Sequence, residues 1–247
     1  MSPRDAPRRR GRTLAIAGCV AIVVLAAAGV GSYFLLRSHA FAVTRVIVTG
    51  ERHESYQQVV NVAGLAHDPP IATLDTTRIA QRLAGAFPWI QSAAVQARWP
   101  HTVEIRLTER TAVALVAGPR GTLVLVDRTG RRLGAPGRGQ ALPVLSYAPS
   151  PGTVVTTSGQ LPRAAAPGLI VAATLPPAFG AQVAAVQVDP RGWVTLKLAS
   201  PVTFLLGPPS DLGAKYEDVA AVIARTTLHA GDVVDVSVPQ SITVSGP

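Results

Sequence analysis

Residues 13–36 read TLAIAGCVAIVVLAAAGVGSYFLL, 24 positions with no charge and no proline. As an α-helix this run is about 36 Å long against a hydrocarbon core of roughly 30 Å, enough to cross a bilayer with some tilt. Its flanks give it a direction. Arg4, Arg8, Arg9, Arg10 and Arg12 precede it with only Asp5 in opposition, and Arg37 alone follows. Positive charge stays on the cytoplasmic side. The expected arrangement is therefore a single-pass anchor in the cell membrane, with 1–12 as a basic cytoplasmic tail and the remainder extracytoplasmic. A cleaved signal peptide is the competing reading, because Ser38-His39-Ala40 offers small residues to a peptidase and the paired arginines invite a twin-arginine interpretation. Such signals carry an apolar core of about 7–15 residues, so the length favours an anchor.

The anchor explains much of the charge. The chain carries 23 Lys+Arg against 14 Asp+Glu, a net +9, but beyond Arg37 the balance is 17 against 13, or +4. No Lys/Arg run with interleaved aromatics accompanies it, which argues against nucleic acid as a partner. The single cysteine, Cys19, lies inside the apolar run. The exported part thus has no disulfide and no Cys-based metal site, and packing alone must stabilise it.

After the anchor, 41–49 (FAVTRVIVT) is a β-branched strand ending at Gly50. Ser55 caps a helix to about Ala63 with Val59, Val60 and Ala63 on its apolar side, and Gly64 stands where a helix-terminating glycine belongs. Asp75 or Thr76 opens a second helix, with Leu74, Ile79, Leu83 and Phe87 mostly on one face and Pro88 closing it. Residues 93–98 and 102–110 are strands joined by a turn at Trp99-Pro100-His101. The second alternates Val103, Ile105 and Leu107 against Thr102, Glu104, Arg106 and Thr108. Strand, helix, helix, strand, strand is a small α+β unit; following a membrane anchor, it resembles a POTRA domain, assigned here to 41–115.

Residues 116–247 promise a mainly antiparallel β-sheet domain with two helices. Strands are expected at 123–126, 142–145, 182–188, 193–198, 202–206, 233–238 and 242–244. Turns fall at Asp127–Gly130 and at Asp189-Pro190-Arg191-Gly192, and 148–167 is a surface loop. Helices fall at about 167–175 and 212–228, the latter capped by Asp211 with Val219, Val222 and Ile223 on its apolar side. A chain that finishes on a strand can present an open edge, whose unpaired N–H and C=O groups a partner strand can take up. Ser241, Thr243 and Ser245 alternate with Ile242 and Val244 there, and a proline at Thr243 is the first choice for testing the edge.

These pieces together are similar to the FtsQ/DivIB bacterial cell-division family. The resemblance rests on Arg98-Trp99-Pro100, Thr102-Val103-Glu104-Ile105, Glu109-Arg110 with Val113-Ala114, Leu125-Val126-Asp127 with Gly130, Leu142-Pro143, Lys215, and Asp235-Val236-Ser237-Val238-Pro239. The chain departs from the family at Ala112, where proline is frequent, and in the Asp68-Pro69-Pro70 loop, where glycine is. The resemblance implies a non-enzymatic divisome scaffold at the division septum that helps control septal peptidoglycan synthesis. It implies FtsB-like and FtsL-like coiled-coil partners and other membrane-anchored division proteins. It also implies strand addition at Ser241, Ile242, Thr243, Val244 and Ser245, with Lys215 as a further partner-binding residue. The alternative is a POTRA-containing secretion or assembly factor of the envelope, but the second half lacks the many amphipathic strands of a transmembrane barrel.

Nothing in the sequence points to catalysis or a cofactor. His39, His53, His67, His101 and His229 include no i, i+4 pair for zinc. No nucleophile elbow, P-loop or dinucleotide fingerprint occurs. Glu104 and Glu109, five apart on one strand, face opposite ways. Glu109-Arg110 reads as a contact or as a structural ion pair, and Trp99 as a partner anchor or as packing against the helices. Lys215 reads as a partner's ion-pair mate or as an exposed helix position.

Overall fold

The computed structural model describes residues 8–36, 38–137, 139–148 and 159–246. Helix α1 (Arg8–Leu36) covers the apolar run. Its side chains are described over 20–34, where Val20, Ile22, Leu25 and Phe34 are exposed. Among the described residues no helix is long and apolar enough to cross a membrane. The span expected over 13–36 extends past the described side chains at both ends, and half of the loop expected at 148–167, residues 149–158, also lies outside the described residues. The chain divides into two compact units, Met1–Glu109 and Arg110–Pro247.

The first unit contains β1 (Arg45–Thr49), α2 (Tyr56–Ala63), α3 (Thr76–Ala86), β2 (Ile90–Arg98) and β3 (Thr102–Glu109), in the expected order. β3 is central, parallel to β1 and antiparallel to β2. β1 is shorter than expected because Phe41 lies in a 3-10 turn and Ala42 bridges to Pro70. α2 begins with a capping box: Ser55 Oγ accepts from Gln58 N while the Gln58 amide oxygen accepts from Ser55 N. It ends at Gly64 with φ 75°, a left-handed cap. In α3 the Asp75 side chain accepts from Arg78 N, and Phe87, extended at φ −109° and ψ 121° before Pro88, stops the helix. Gly50, at φ 90°, passes so close to the Leu107 carbonyl that a Cβ there would collide with it. Val103, Ile105 and Leu107 of β3 pack with Val59, Val60, Ile79 and Leu83 of the helices. Ser55→Ala should cost about 1 kcal/mol, seen as a lower urea midpoint for this unit.

The second unit runs β4 (Ala112–Ala117), β5 (Leu123–Asp127), β6 (Arg132–Gly134), β7 (Val144–Tyr147), α4 (Ala166–Thr174), α5 (Pro177–Gly180), β8 (Val183–Val188), β9 (Val194–Leu198), β10 (Thr203–Gly207), α6 (Leu212–Arg225), β11 (Val233–Asp235) and β12 (Thr243–Ser245). Its nine-stranded sheet has the order β12-β11-β10-β9-β8-β7-β4-β5-β6. Most junctions are antiparallel; β4 with β7, β7 with β8 and β10 with β11 are parallel. A parallel neighbour needs a crossover, which α4 and α5 supply between β7 and β8, and α6 between β10 and β11. The two expected helices are thus α4 and α6, and α5 adds one turn. Leu145, Val186, Leu196, Phe204 and Leu206 form the core with Leu169 and Val171 of α4 and Val219 and Val222 of α6. Ile223, expected beside them, is exposed.

The β5–β6 turn is built around Asp127, which is 2% exposed. Its Oδ1 accepts from Thr129 N, Thr129 Oγ1 and Arg131 N at 2.7–2.9 Å, and its Oδ2 accepts from Arg110 Nη1 at 2.7 Å. Burial alone would raise the carboxyl pKa. The hydrogen bonds from Thr129, Arg110 and Arg131 outweigh burial and hold it below the ordinary aspartate value.

Candidate partner-binding edge

The nine-stranded sheet has two ends, and they are treated differently. At the β6 end the segment after residue 158 covers the start of the edge: Arg132 N donates to Gly159 O, Leu161 N donates to Gly130 O, and Arg131 bridges to Gln160. At the other end β12 is paired with β11 alone. Among the described residues nothing pairs with its outer side.

The register fixes which backbone groups are open. β11 bonds β10 through Asp232 O, which accepts from Thr203 N, and Val236 N, which donates to Leu205 O. Backbone polar groups alternate sides along a strand, so Val233 and Asp235 turn theirs toward β12 and pair with Ser245 and Thr243. The N–H and C=O of Val244 therefore face outward. A proline at Thr243 would remove a donor that serves β11, so the residue to test is Val244.

Ser241, Ile242, Thr243, Val244 and Ser245 are all exposed. Val244 stands opposite Val234, which is fully buried, yet Val244 itself is 43% exposed. The apolar face of the sheet thus continues to the edge and is uncovered there. Ser245 Oγ donates to Val233 O at 3.3 Å, and Gln240 N donates to Asp218 Oδ2 of α6 at 2.9 Å, which together hold the terminal strand in register.

Lys215 is not part of this edge. It is 1% exposed, and its Nζ donates to Leu206 O at 2.8 Å and Pro208 O at 2.7 Å. Neither expected reading, a partner's mate or an exposed position, describes it. Burial lowers the pKa of its ammonium, opposed by the Asp211 carboxylate one turn earlier. Asp211 occupies the N-cap position of α6 at φ 54°, without the expected side-chain cap bond. The sequence signal for burial was the spacing of Leu212, Lys215, Val219 and Val222, a helical stripe in which Lys215 is the one polar member. Lys215→Met keeps the volume but strands two carbonyls, so urea unfolding should show a loss of about 2 kcal/mol.

Glu109 and Arg110 part company. Glu109 Oε1 accepts from Arg52 N and His53 N, and its Oε2 lies 2.7 Å from His53 Nδ1; the His53 ring stacks on Trp89. Arg110 pairs with Asp127. Trp99 is 53% exposed and packs edge-on against Phe41.

Two family models match the chain: "POTRA domain, FtsQ-type" over residues 41–110 and "Cell division protein FtsQ/DivIB, C-terminal" over 114–237. The chain belongs to the FtsQ/DivIB family of cell-division proteins. Relatives named cell division protein FtsQ span most of its length. That of Streptomyces venezuelae is 30% identical over 249 residues, covering 97% of this chain and 89% of its own. That of Streptomyces collinus is 29% identical over 242 residues, covering 96% and 89%. That of Mycobacterium tuberculosis is 28% identical over 240 residues, covering 96% and 72%. As a member of the FtsQ/DivIB family, the chain is a component of the division machinery. β12 lies beyond the matched C-terminal stretch, so its assignment rests on sheet geometry.

Proposed function

We propose that this FtsQ/DivIB-family protein is a non-enzymatic divisome scaffold whose β12 edge receives a strand from an FtsB-like coiled-coil partner. FtsL-like and other membrane-anchored division proteins join the same complex. Residues 13–36 hold it in the cell membrane with the tail 1–12 cytoplasmic, and the POTRA domain and the β domain, the latter beginning ahead of β4 (Ala112–Ala117), act outside. The observation that carries the reading is the open edge: Val244 aims both backbone polar groups outward and leaves its side chain half-uncovered, while at the opposite end of the same sheet residues 130–132 are bonded to the 159–161 segment. An exposed edge of this kind is either protected or used, and Ser241–Ser245 carry no charge or proline to protect it. Strand addition would satisfy the backbone groups and cover Val244 and Ile242 together. The uncharged length of 13–36 and the arginines before it support the anchor and its direction.

Affinity purification of the tagged full-length protein from membranes, with partners identified by mass spectrometry, tests the scaffold reading. Recovery of small coiled-coil division proteins is the expected result. Recovery of secretion or outer-membrane assembly machinery in their place would overturn it.

A further inference from the structure

At one end of the first unit the turn Trp99-Pro100-His101 is tied to the chain that has just left α1. His101 O accepts from Thr44 N and Arg45 N at 3.0 and 3.2 Å, and His101 Nδ1 lies 3.0 Å from Ala42 O. Trp99 packs edge-on against Phe41 with ring centroids 5.8 Å apart, and Phe41 stacks with His101 at 6.4 Å. Arg45, Thr102 and Arg98 form one row across the three strands, on the sheet face away from the helices. Both arginines are exposed; Arg98 Nε also meets Glu104 at 2.7 Å, and Asp68 lies in the adjoining loop.

We infer that this end of the unit is a membrane foot: Trp99 and Phe41 sit in the interfacial layer of the bilayer, and Arg45 and Arg98 meet lipid phosphates. The inference rests on the anchor reading of 13–36. Two features of the molecule select the bilayer as the occupant. The first is the tether. Phe41 follows Leu36 by five residues, the last three in a 3-10 turn, so its Cα lies within about 13 Å of the end of the helix. The polar layer on each side of a bilayer is itself roughly 6 Å deep or more, and a Trp ring spans much of the remaining gap. The second is composition. An exposed Trp buttressed by a second aromatic and flanked by arginines is what the membrane–water interface selects, and a Trp 53% exposed otherwise leaves a large ring in water.

The test uses the full-length chain reconstituted in phosphatidylcholine–phosphatidylglycerol vesicles with brominated acyl chains. Trp89→Phe with Trp193→Phe leaves Trp99 as the reporter, and carbonate extraction checks insertion. The expected result is loss of most Trp99 emission to bromine, weak quenching by aqueous iodide, and less bromine quenching after Arg45→Gln with Arg98→Gln. If the double Phe variant misfolds, wild type is compared with Trp99→Phe, which should remove the bromine-sensitive component. A chain that resists carbonate while Trp99 answers only to iodide overturns the foot and leaves the anchor standing. Extraction by carbonate overturns both. Shielding of Trp99 that requires added division proteins makes this end a protein surface and overturns the inference.

Discussion

Asp127→Ala is expected to destabilise the C-terminal unit by about 3 kcal/mol, the low end of what breaking a buried ion pair costs. The carboxylate is 2% exposed and holds four hydrogen bonds, and Arg110, whose side chain is 15% exposed, would lose its partner while remaining largely out of water. The β5–β6 turn would also lose the oxygen that organises Thr129 and Arg131. The pH dependence has a definite sign. The folded carboxyl titrates below its ordinary value, so its contribution is fully present above the unfolded value of about 3.9 and is lost as pH falls through the folded one. Urea unfolding at pH 7 and pH 3 should therefore show the gap between wild type and Asp127→Ala narrowing in acid. A gap that widens in acid would mean that the ion pair is not what the carboxylate contributes.

The sequence carried local structure better than neighbour relations. Ser55, Gly64, Asp75 and Pro88 mark helix ends through bonds or dihedral limits spanning a few residues, and each acts as its chemistry dictates. The alternation of β3 likewise announced its buried face. The sheet order was not legible, because β4 lies between β7 and β5 and pairs across long stretches of chain; periodicity says which side is buried but not which strand is adjacent. β4 and β6 were not anticipated as strands for the same reason. At the candidate site, the terminal alternation revealed an edge strand. The side that is free depends on β10 and β11, which is why alternation alone put the proline at Thr243, whose N–H turns toward β11. Lys215 shows the converse failure: its charge argued for exposure, while two carbonyls supplied by β10 and the following loop made burial possible.

Val244→Pro is expected to weaken binding of an FtsB-like partner on the order of a hundredfold, about 3 kcal/mol, with little loss of fold. The substitution removes the outward N–H and leaves an acceptor on the added strand unpaired. Its ring also blocks close approach along the edge. The fold should tolerate it, since β11 makes no use of that N–H and proline is accepted on an edge where its nitrogen faces away from the ladder. Thr243→Pro, by contrast, should loosen β12 itself and lower the unfolding midpoint. Equal binding by wild type and a folded Val244→Pro protein would place the partner elsewhere.

On strand addition the outer side of β12 becomes a paired side. The most direct measurement is amide hydrogen exchange, read residue by residue by NMR, of the full-length protein with and without the extracytoplasmic segment of the FtsB-like partner at saturation. The N–H of Val244 should exchange freely alone and become strongly protected in the complex, while Thr243 and Ser245, already bonded to β11, change little. A saturated complex in which Val244 exchanges as fast as in the free protein would contradict strand addition at this edge.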